Sequence, residues 1–207
     1  MSFTNPYTPE FAGDYILKKL SIVSFDGIPV DIKALMQEFN IWESIYSSAL
    51  TGSIVVADSI NLINTMPLTG TETLEFQLFT RGAGDSEQSV IDASSKTGHP
   101  FHIYKVSRRS QPKEGISAYT IHFCSRELLR SVRTRVSQAY NGPLHEAAIK
   151  IFTDQEYLDS RKKMWVEPTR NKDKVVIPNQ HPLDAIKLLA RKSLPGRSKG
   201  AGYYFYE

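Results

Sequence analysis

The sequence contains a single cysteine and no long hydrophobic run, and both absences narrow the possibilities. Cys124 has no partner for a disulfide within the chain, which is typical of a protein that folds in a reducing cytoplasm. Because Cys124 lies in the apolar run YTIHFC, we expect a buried structural thiol rather than a reactive one. No stretch reaches the roughly 18 apolar residues of a membrane helix. The first residues lack the basic and apolar regions of a signal peptide.

Recognisable catalytic motifs are also missing. The chain has no GxSxG sequence, and its five histidines lie at positions 99, 102, 122, 145 and 181 without metal-ligand spacing. The loop from Gly196 to Gly202 lacks the GK[ST] ending of a phosphate loop and precedes a predicted strand rather than a helix. We therefore predict no catalytic residues, no metal and no cofactor, and we expect that the protein is not an enzyme.

The composition is that of a globular protein, with an uneven distribution of charge. Among 207 residues, 41% are hydrophobic and 23% charged, and ten Tyr with ten Phe favour β-structure. Residues 1–125 hold 9 Lys/Arg against 13 Asp/Glu, whereas residues 126–207 hold 16 against 9. This change of sign predicts a boundary between two units near residue 125.

Patterns with a period of two residues dominate the first of these units. The clearest is Thr73–Thr80, where Leu74, Phe76 and Leu78 alternate with polar residues and should face a core. Asp26-Gly27 predicts a hairpin turn. Residues 81–98 are rich in Gly, Ser and Asp and predict an exposed loop. Strands are predicted at 14–25, 28–32, 37–46, 53–58, 73–80, 101–109 and 116–124, with one helical turn within 59–66.

The period then changes to that of an α-helix. Helices are predicted at about 126–140, 143–153 and 182–193, with Leu128, Val132 and Val136 on the buried face of the first. Short strands are predicted at 174–177 and at the aromatic segment YYFYE. Because no return strand follows YYFYE, we expect that the natural chain continues.

Together these patterns predict an α+β protein. Residues 1–13 form an N-terminal arm, residues 14–125 an antiparallel β-barrel or sandwich, and residues 126–207 a small mixed α/β domain with about three helices. One alternative function arises from the basic second half. Arg126, Arg130 and Arg133 share one side of the predicted helix and could contact phosphates, which would make residues 126–199 a nucleic-acid-binding module. An enzyme such as a wall hydrolase is a further alternative, which the lack of an acid pair or metal constellation disfavours.

Two segments resemble the baseplate hub proteins of contractile-tailed phages, the gene product 27-like family of T-even phages. The first comprises IWESIYSSALTGSIVVADS, the crossing NLINTMPLTG and the strand ETLEFQLFT. The second runs from FCSRELLRSVRTRVSQAYNG through LHEAAIKIFTD and VVIPNQHPLDAIKLLARKS to YYFYE. The resemblance implies a tube-protein-like barrel followed by the helical domain of that family. A typical member carries two such barrels, whereas this sequence holds one.

The resemblance also implies a structural role in the virion. Such a protein forms a ring with itself, as a trimer or a hexamer-like assembly, and joins the tail tube protein to the central spike protein. DNA would be passing cargo only, no stable membrane insertion is expected, and assembly would take place in the host cytoplasm. The connections 44–52 and 60–70 carry more apolar residues than a free loop needs. Within these two connections, the residues that we expect to contact another subunit are Ile45, Tyr46, Leu50, Leu62 and Met66.

Overall fold

The computed structural model describes residues 15–80, 89–196 and 202–207. The predicted arm at 1–13, the first part of the loop at 81–98 and residues 197–201 lie outside the described residues. The chain divides into two compact units. The first comprises residues 1–40 and 52–123, and the second comprises 41–51 and 124–207. The transition at residue 123 is close to the predicted boundary, but the segment 41–51 belongs with the later half of the chain.

An eight-stranded sheet makes up the described part of the first unit. Seven of its strands follow the order β2-β1-β5-β7-β8-β4-β3, and the eighth, β6, pairs with β5 outside this order. The strands are β1 (Tyr15–Val23), β2 (Pro29–Asp31), β3 (Met36–Trp42), β4 (Thr51–Asp58), β5 (Thr73–Thr80), β6 (Ser89–Ala93), β7 (Phe101–Lys113) and β8 (Ile116–Cys124). A short 3-10 turn spans Lys33–Leu35, and a four-residue helix α1 spans Leu62–Thr65.

The predicted strand at Thr73–Thr80 is confirmed as β5. Leu74 and Phe76 are fully buried and Leu78 is half-buried, so the alternating residues face the interior. β5 pairs antiparallel with β1, with Leu20 opposite Phe76. The prediction of a loop throughout 81–98 is wrong at residues 89–93, because β6 pairs with β5 and places Ile91 opposite Leu78. The many polar residues around this strand concealed its short apolar centre.

Aromatic contacts show that this sheet is strongly curved. Four strand spacings separate β5 from β3 in the sheet order, which is roughly 19 Å in a flat sheet. The rings of Phe39 on β3 and Phe76 on β5 nevertheless lie 5.1 Å apart, and Phe123 on β8 stacks on Phe39 at 5.8 Å. The sheet therefore wraps around its own core. Within the described residues it is not closed into a barrel, because β2 and β3 remain its outer strands.

The second unit combines helices with a two-stranded antiparallel sheet. In β9, Tyr140 lies opposite Val175 of β10. The elements are α2 (Arg126–Arg133), β9 (Val136–Pro143), α3 (Leu144–Thr153), β10 (Lys172–Gln180) and α4 (Pro182–Lys192). The predicted α+β class is thus confirmed, with an open curved sheet in place of the expected barrel.

The predicted helix at 126–140 is wrong beyond residue 133. Val136 and Tyr140 are both buried, and their spacing fits one face of a helix as well as one face of a strand. The structure resolves the ambiguity through β10, whose backbone pairs with residues 136–143. The helices predicted at 143–153 and 182–193 are observed at Leu144–Thr153 and Pro182–Lys192. Their apolar faces share a core with β9 and β10 that includes Leu144, Ile151, Ile177, Ile186 and Leu189.

Candidate functional site

Helix α2 turns its polar side inward. Glu127 and Ser131 are buried, whereas Val132 is 63% exposed and Leu128 is only half-buried. The prediction that Leu128 and Val132 form a buried stripe is therefore wrong for Val132. Val136 is buried, but on a strand. Burying a carboxylate requires compensating partners, and these come from segments distant in sequence.

Glu127 is the buried member of a network of three charged side chains. Its carboxylate accepts a hydrogen bond from the Ser160 hydroxyl at 2.6 Å and contacts the Lys162 ammonium at 2.8 Å. Lys162 also contacts the carboxylate of Glu207, so one ammonium joins two acids. Burial alone would raise the pKa of Glu127, but Lys162 and Ser160 outweigh it and hold that pKa below its ordinary value. Burial would lower the pKa of Lys162, yet the two carboxylates raise it overall.

Residues 202–207 lie against the second unit without forming a strand. The prediction of a strand at YYFYE is therefore wrong for the described residues. Phe205 packs against the core of the unit, with its ring 6.4 Å from that of Phe152. The Tyr203 hydroxyl donates to the carbonyl of Pro168 at 3.0 Å. The carboxylate of Glu207 accepts a hydrogen bond from the Leu50 amide at 2.9 Å in addition to its contact with Lys162.

A cavity of about 390 Å³ lies under this segment. Its walls come from α3, α4, residues 162–167 and residues 203–207, and they are mostly apolar. Glu127, His145 and Lys162 supply polar groups. The His145 ring is held by the Thr169 hydroxyl at 3.0 Å from Nδ1. An apolar groove with one charged end is suited to an extended peptide with apolar side chains and a carboxylate. We name the surface formed by α3, α4, Glu127 and residues 162–167, which residues 203–207 cover, the second-unit groove.

In the part of the chain that the structure describes, no group of three or more His, Cys, Asp or Glu side chains is placed to hold a metal ion. Cys124 is buried, and burial together with the nearby Glu207 raises the pKa of its thiol to about 12. The thiol therefore stays protonated at neutral pH and is a poor nucleophile. No helix among the described residues is long and apolar enough to cross a membrane.

Buried carboxylates of the first unit hold its connections in place. Asp58 accepts hydrogen bonds from the amide of Leu62 at 2.9 Å and from the hydroxyl of Tyr119 at 3.2 Å, which anchors the segment before α1. Glu72 accepts the Gly70 amide at 2.8 Å. Burial would raise the pKa of Glu72, but hydrogen bonds from the turn at 69–70 hold it below its ordinary value. The carboxylates of Asp58 and Glu72 therefore accept backbone amides that hold these connections in place.

The predicted contact residues fall into two groups. Ile45 is 50% and Tyr46 72% exposed, whereas Leu50 and Met66 are half-buried. Leu62 is buried within the first unit and is 1% exposed, unlike the other four. Leu62 is the first residue of α1, and its amide is bound by Asp58, which draws it into the core.

The predicted phosphate contacts are largely engaged within the second unit. Arg126 forms an ion pair with Asp159 at 2.7 Å and donates to the carbonyl of the same residue. Arg130 donates to the carbonyls of Tyr157 and Gln155. Arg133 is exposed. The guanidinium groups of Arg126 and Arg130 thus fasten the 154–160 segment to α2.

Sequence reasoning did not identify the groove residues. Glu127, Lys162 and Glu207 are separated along the chain, and each is an ordinary charged residue in its local context. Glu127 lies in the first turn of α2, as Glu146 and Asp184 do in α3 and α4, so its position in the sequence does not distinguish it.

Comparison with known proteins gives little further guidance. No protein-family model and no curated protein matches the chain. Among solved structures, the chain is similar to the prophage tail protein gp18 from Listeria monocytogenes EGD-e, with a TM-score of 0.49 and 14% identity. The similarity covers 83% of this chain and 45% of that protein, so this chain spans less than half of its length. A TM-score below 0.5 does not establish a shared fold.

Proposed function

We propose that this chain is a non-catalytic structural component of a phage tail. Specifically, copies of the chain form a ring in the baseplate hub that joins the tail tube to the central spike. Support for the phage role comes from the sequence resemblance described above, whose first segment corresponds to β4, α1 and β5. In the first unit, as in that segment, a strand is followed by a short crossing and then by a second strand.

Exposed apolar side chains give the main physical support for assembly. Trp42, Ile45 and Tyr46 lie close together in sequence and are 52%, 50% and 72% exposed. The Tyr46 ring is 5.8 Å from that of Tyr204, which is also exposed, so the apolar surface extends beyond one segment. Aromatic residues of this kind are enriched at protein interfaces. We name Trp42, Ile45, Tyr46 and Tyr204 the assembly patch.

A ring protein needs such a surface more than it needs a reactive group. Subunit contacts in obligate assemblies commonly bury more than about 2,000 Å² and are richer in apolar area than ordinary surface. The buried carboxylates, by contrast, bind backbone amides and a lysine of the same unit. This distribution favours a scaffold function over catalysis.

Light scattering with purified protein tests the proposal. We expect the wild-type chain to self-associate, or to bind recombinant tail tube and spike proteins, as concentration rises. Replacing both Ile45→Ser and Tyr46→Ser should weaken that association at least tenfold without lowering the thermal midpoint, because both side chains are exposed. Val176→Ser is the matched control, since Val176 is 62% exposed on β10 and outside the patch.

Two results would contradict the assembly role. The first is a wild-type chain that stays monomeric at high concentration and binds neither the tail tube protein nor the spike protein. The second is association that Val176→Ser reduces as much as the patch substitutions do.

A further inference from the structure

Residues 202–207 alternate between exposed and half-buried positions along the groove. Tyr203, Phe205 and Glu207 are half-buried, whereas Gly202, Tyr204 and Tyr206 are exposed. Alternation with a period of two is the signature of an extended backbone. This segment is extended without being part of a sheet, so its inward side chains, rather than a strand ladder, fix its position.

Each inward side chain has a separate anchor. Tyr203 donates to the carbonyl of Pro168, and Phe205 packs against Phe152 and the apolar core. Glu207 ends the series at the charged end of the second-unit groove. Anchors at every second residue of an extended segment are the way in which peptide-binding proteins recognise side chains.

The charged end of the groove is built to receive a carboxylate. Lys162 is held by Glu127, which is itself buried and hydrogen-bonded to Ser160. The ammonium is therefore fixed in place before Glu207 binds, and it retains donors for a second acid. The Leu50 amide points to the other oxygen of Glu207 at 2.9 Å. A neutral amide in place of this carboxylate would leave the ammonium with one acid instead of two.

We propose that the second-unit groove is a peptide-binding site and that residues 202–207 are its ligand, bound as a separable strap. The ligand class is an extended peptide with aromatic side chains at two alternate positions and a carboxylate at the third. A cavity of about 390 Å³ remains beside the strap, so the groove has room for side chains larger than those present. The inference goes beyond the tail function proposed above and shares only Tyr204 with the assembly patch, because its anchors are Tyr203, Phe205 and Glu207.

Competition in the full-length chain tests this site. The double variant Phe205→Ala/Glu207→Gln removes two anchors of the strap and should leave the groove open. A fluorescently labelled, amidated peptide with the sequence of residues 202–207 is then titrated and followed by anisotropy. We expect the double variant to bind this peptide at least tenfold more tightly than the wild type, whose own strap competes at a high effective concentration.

Matched peptides and a third substitution define specificity. A peptide with the Glu207→Gln change should bind at least fivefold more weakly to the double variant, and adding Lys162→Met to that variant should abolish the preference for the carboxylate. A peptide with Tyr206→Ala should lose less affinity than the Gln peptide, since Tyr206 lines the cavity but is 52% exposed. Equal binding of the Gln and Glu peptides, or no binding by a double variant with an intact circular dichroism spectrum, would overturn the inference.

Hydrogen exchange covers the case in which the double variant fails to fold. In the single variant Glu207→Ala, exchange of the Leu50 amide, which donates to the Glu207 carboxylate, should accelerate at least tenfold, whereas in Tyr206→Ala it should stay within about twofold of the wild type. Identical exchange in both variants would count against the strap. Wild-type dimers that Phe205→Ala dissociates would support the site, because the same groove would then be filled by a second copy.

Discussion

At the scale of single residues, Asp58 shows how one acid positions a connection. Its oxygens accept from three backbone amides, those of Ile60, Leu62 and Ile63, and from Tyr119. Asp58→Asn keeps the shape but replaces one accepting oxygen by a donor that faces other donors. We expect it to lower the free energy of unfolding by about 2 kcal/mol, measured by urea denaturation.

The control for Asp58 is Asp31→Asn. Asp31 also accepts a backbone amide, that of Lys33 at 2.8 Å, but it is exposed. Water can replace that hydrogen bond, so the change should be less than about 0.5 kcal/mol. Equal effects at the two positions would show that the buried amides near Asp58 do not depend on its charge.

Lys162 gives a prediction with a pH dependence. Lys162→Met leaves Glu127 buried without its cation and should cost about 3–5 kcal/mol at pH 7, measured by urea denaturation. Lys19→Met is the matched control: its partner Glu75 keeps hydrogen bonds from Ser95, and the Lys19 side chain is 41% exposed. Its cost should be closer to 1 kcal/mol.

The direction of the pH effect follows from Glu127. Its pKa in the folded chain lies below the ordinary value of 4.5, so its contribution to stability is complete above that pH and disappears as the pH falls through the folded value. In Lys162→Met, burial without the cation raises the pKa of Glu127, so the difference in stability between the wild type and this variant should already shrink as the pH falls from 7 toward 4.5 and should shrink further below it. A difference that stays constant from pH 7 to pH 3 would contradict the paired state of Glu127.

At the scale of elements, the strand at residues 136–143 can be tested by cross-linking. Ala139 lies opposite Val176 in the antiparallel pair, and both are exposed. Facing residues have Cα atoms about 4.5–5.5 Å apart, within the range of a disulfide. Ala139→Cys/Val176→Cys should therefore form a disulfide on mild oxidation, detected by mass spectrometry.

Ser137→Cys/Val176→Cys is the control for this pair, because residue 137 is shifted along β9 and does not face Val176. Equal cross-linking in both variants, or none in the first, would be incompatible with the observed register. A helix continuing to residue 140 would bring neither pair together.

Strands with one clear period could be predicted from the sequence, whereas ambiguous segments could not. Leu74, Phe76 and Leu78 fit only a strand, and β5 is observed where it was predicted. Val136 and Tyr140 fit both periods, and the pairing with residues 172–180 that decides between them is a non-local interaction. The groove was beyond prediction for the same reason. Glu127 is buried because Ser160 and Lys162 contact it, and the sequence around Glu127 does not indicate that these distant residues come close to it.

At the scale of the whole molecule, each unit has its own core. Leu20 and Phe76 are fully buried in the first, and Ile151 and Ile177 in the second. We expect Leu20→Ala to accelerate amide hydrogen exchange in β1 and β5 while β9 and β10 keep their wild-type protection, and Ile151→Ala to do the reverse. Mass spectrometry of peptic fragments measures both. Uniform acceleration by either substitution would show that the two units unfold as one.

The assignment of residues 41–51 to the second unit has a consequence for synthesis of the chain. The Leu50 carbonyl accepts the amide of Ser125, and the Leu50 amide binds Glu207. Ribosomes add roughly 5–20 residues per second, so this segment leaves the ribosome seconds before its partners exist. During that interval its apolar side chains, including Ala49, are available to chaperones or to neighbouring nascent chains. The second unit cannot form its contact between Leu50 and Glu207 until Glu207 has been made.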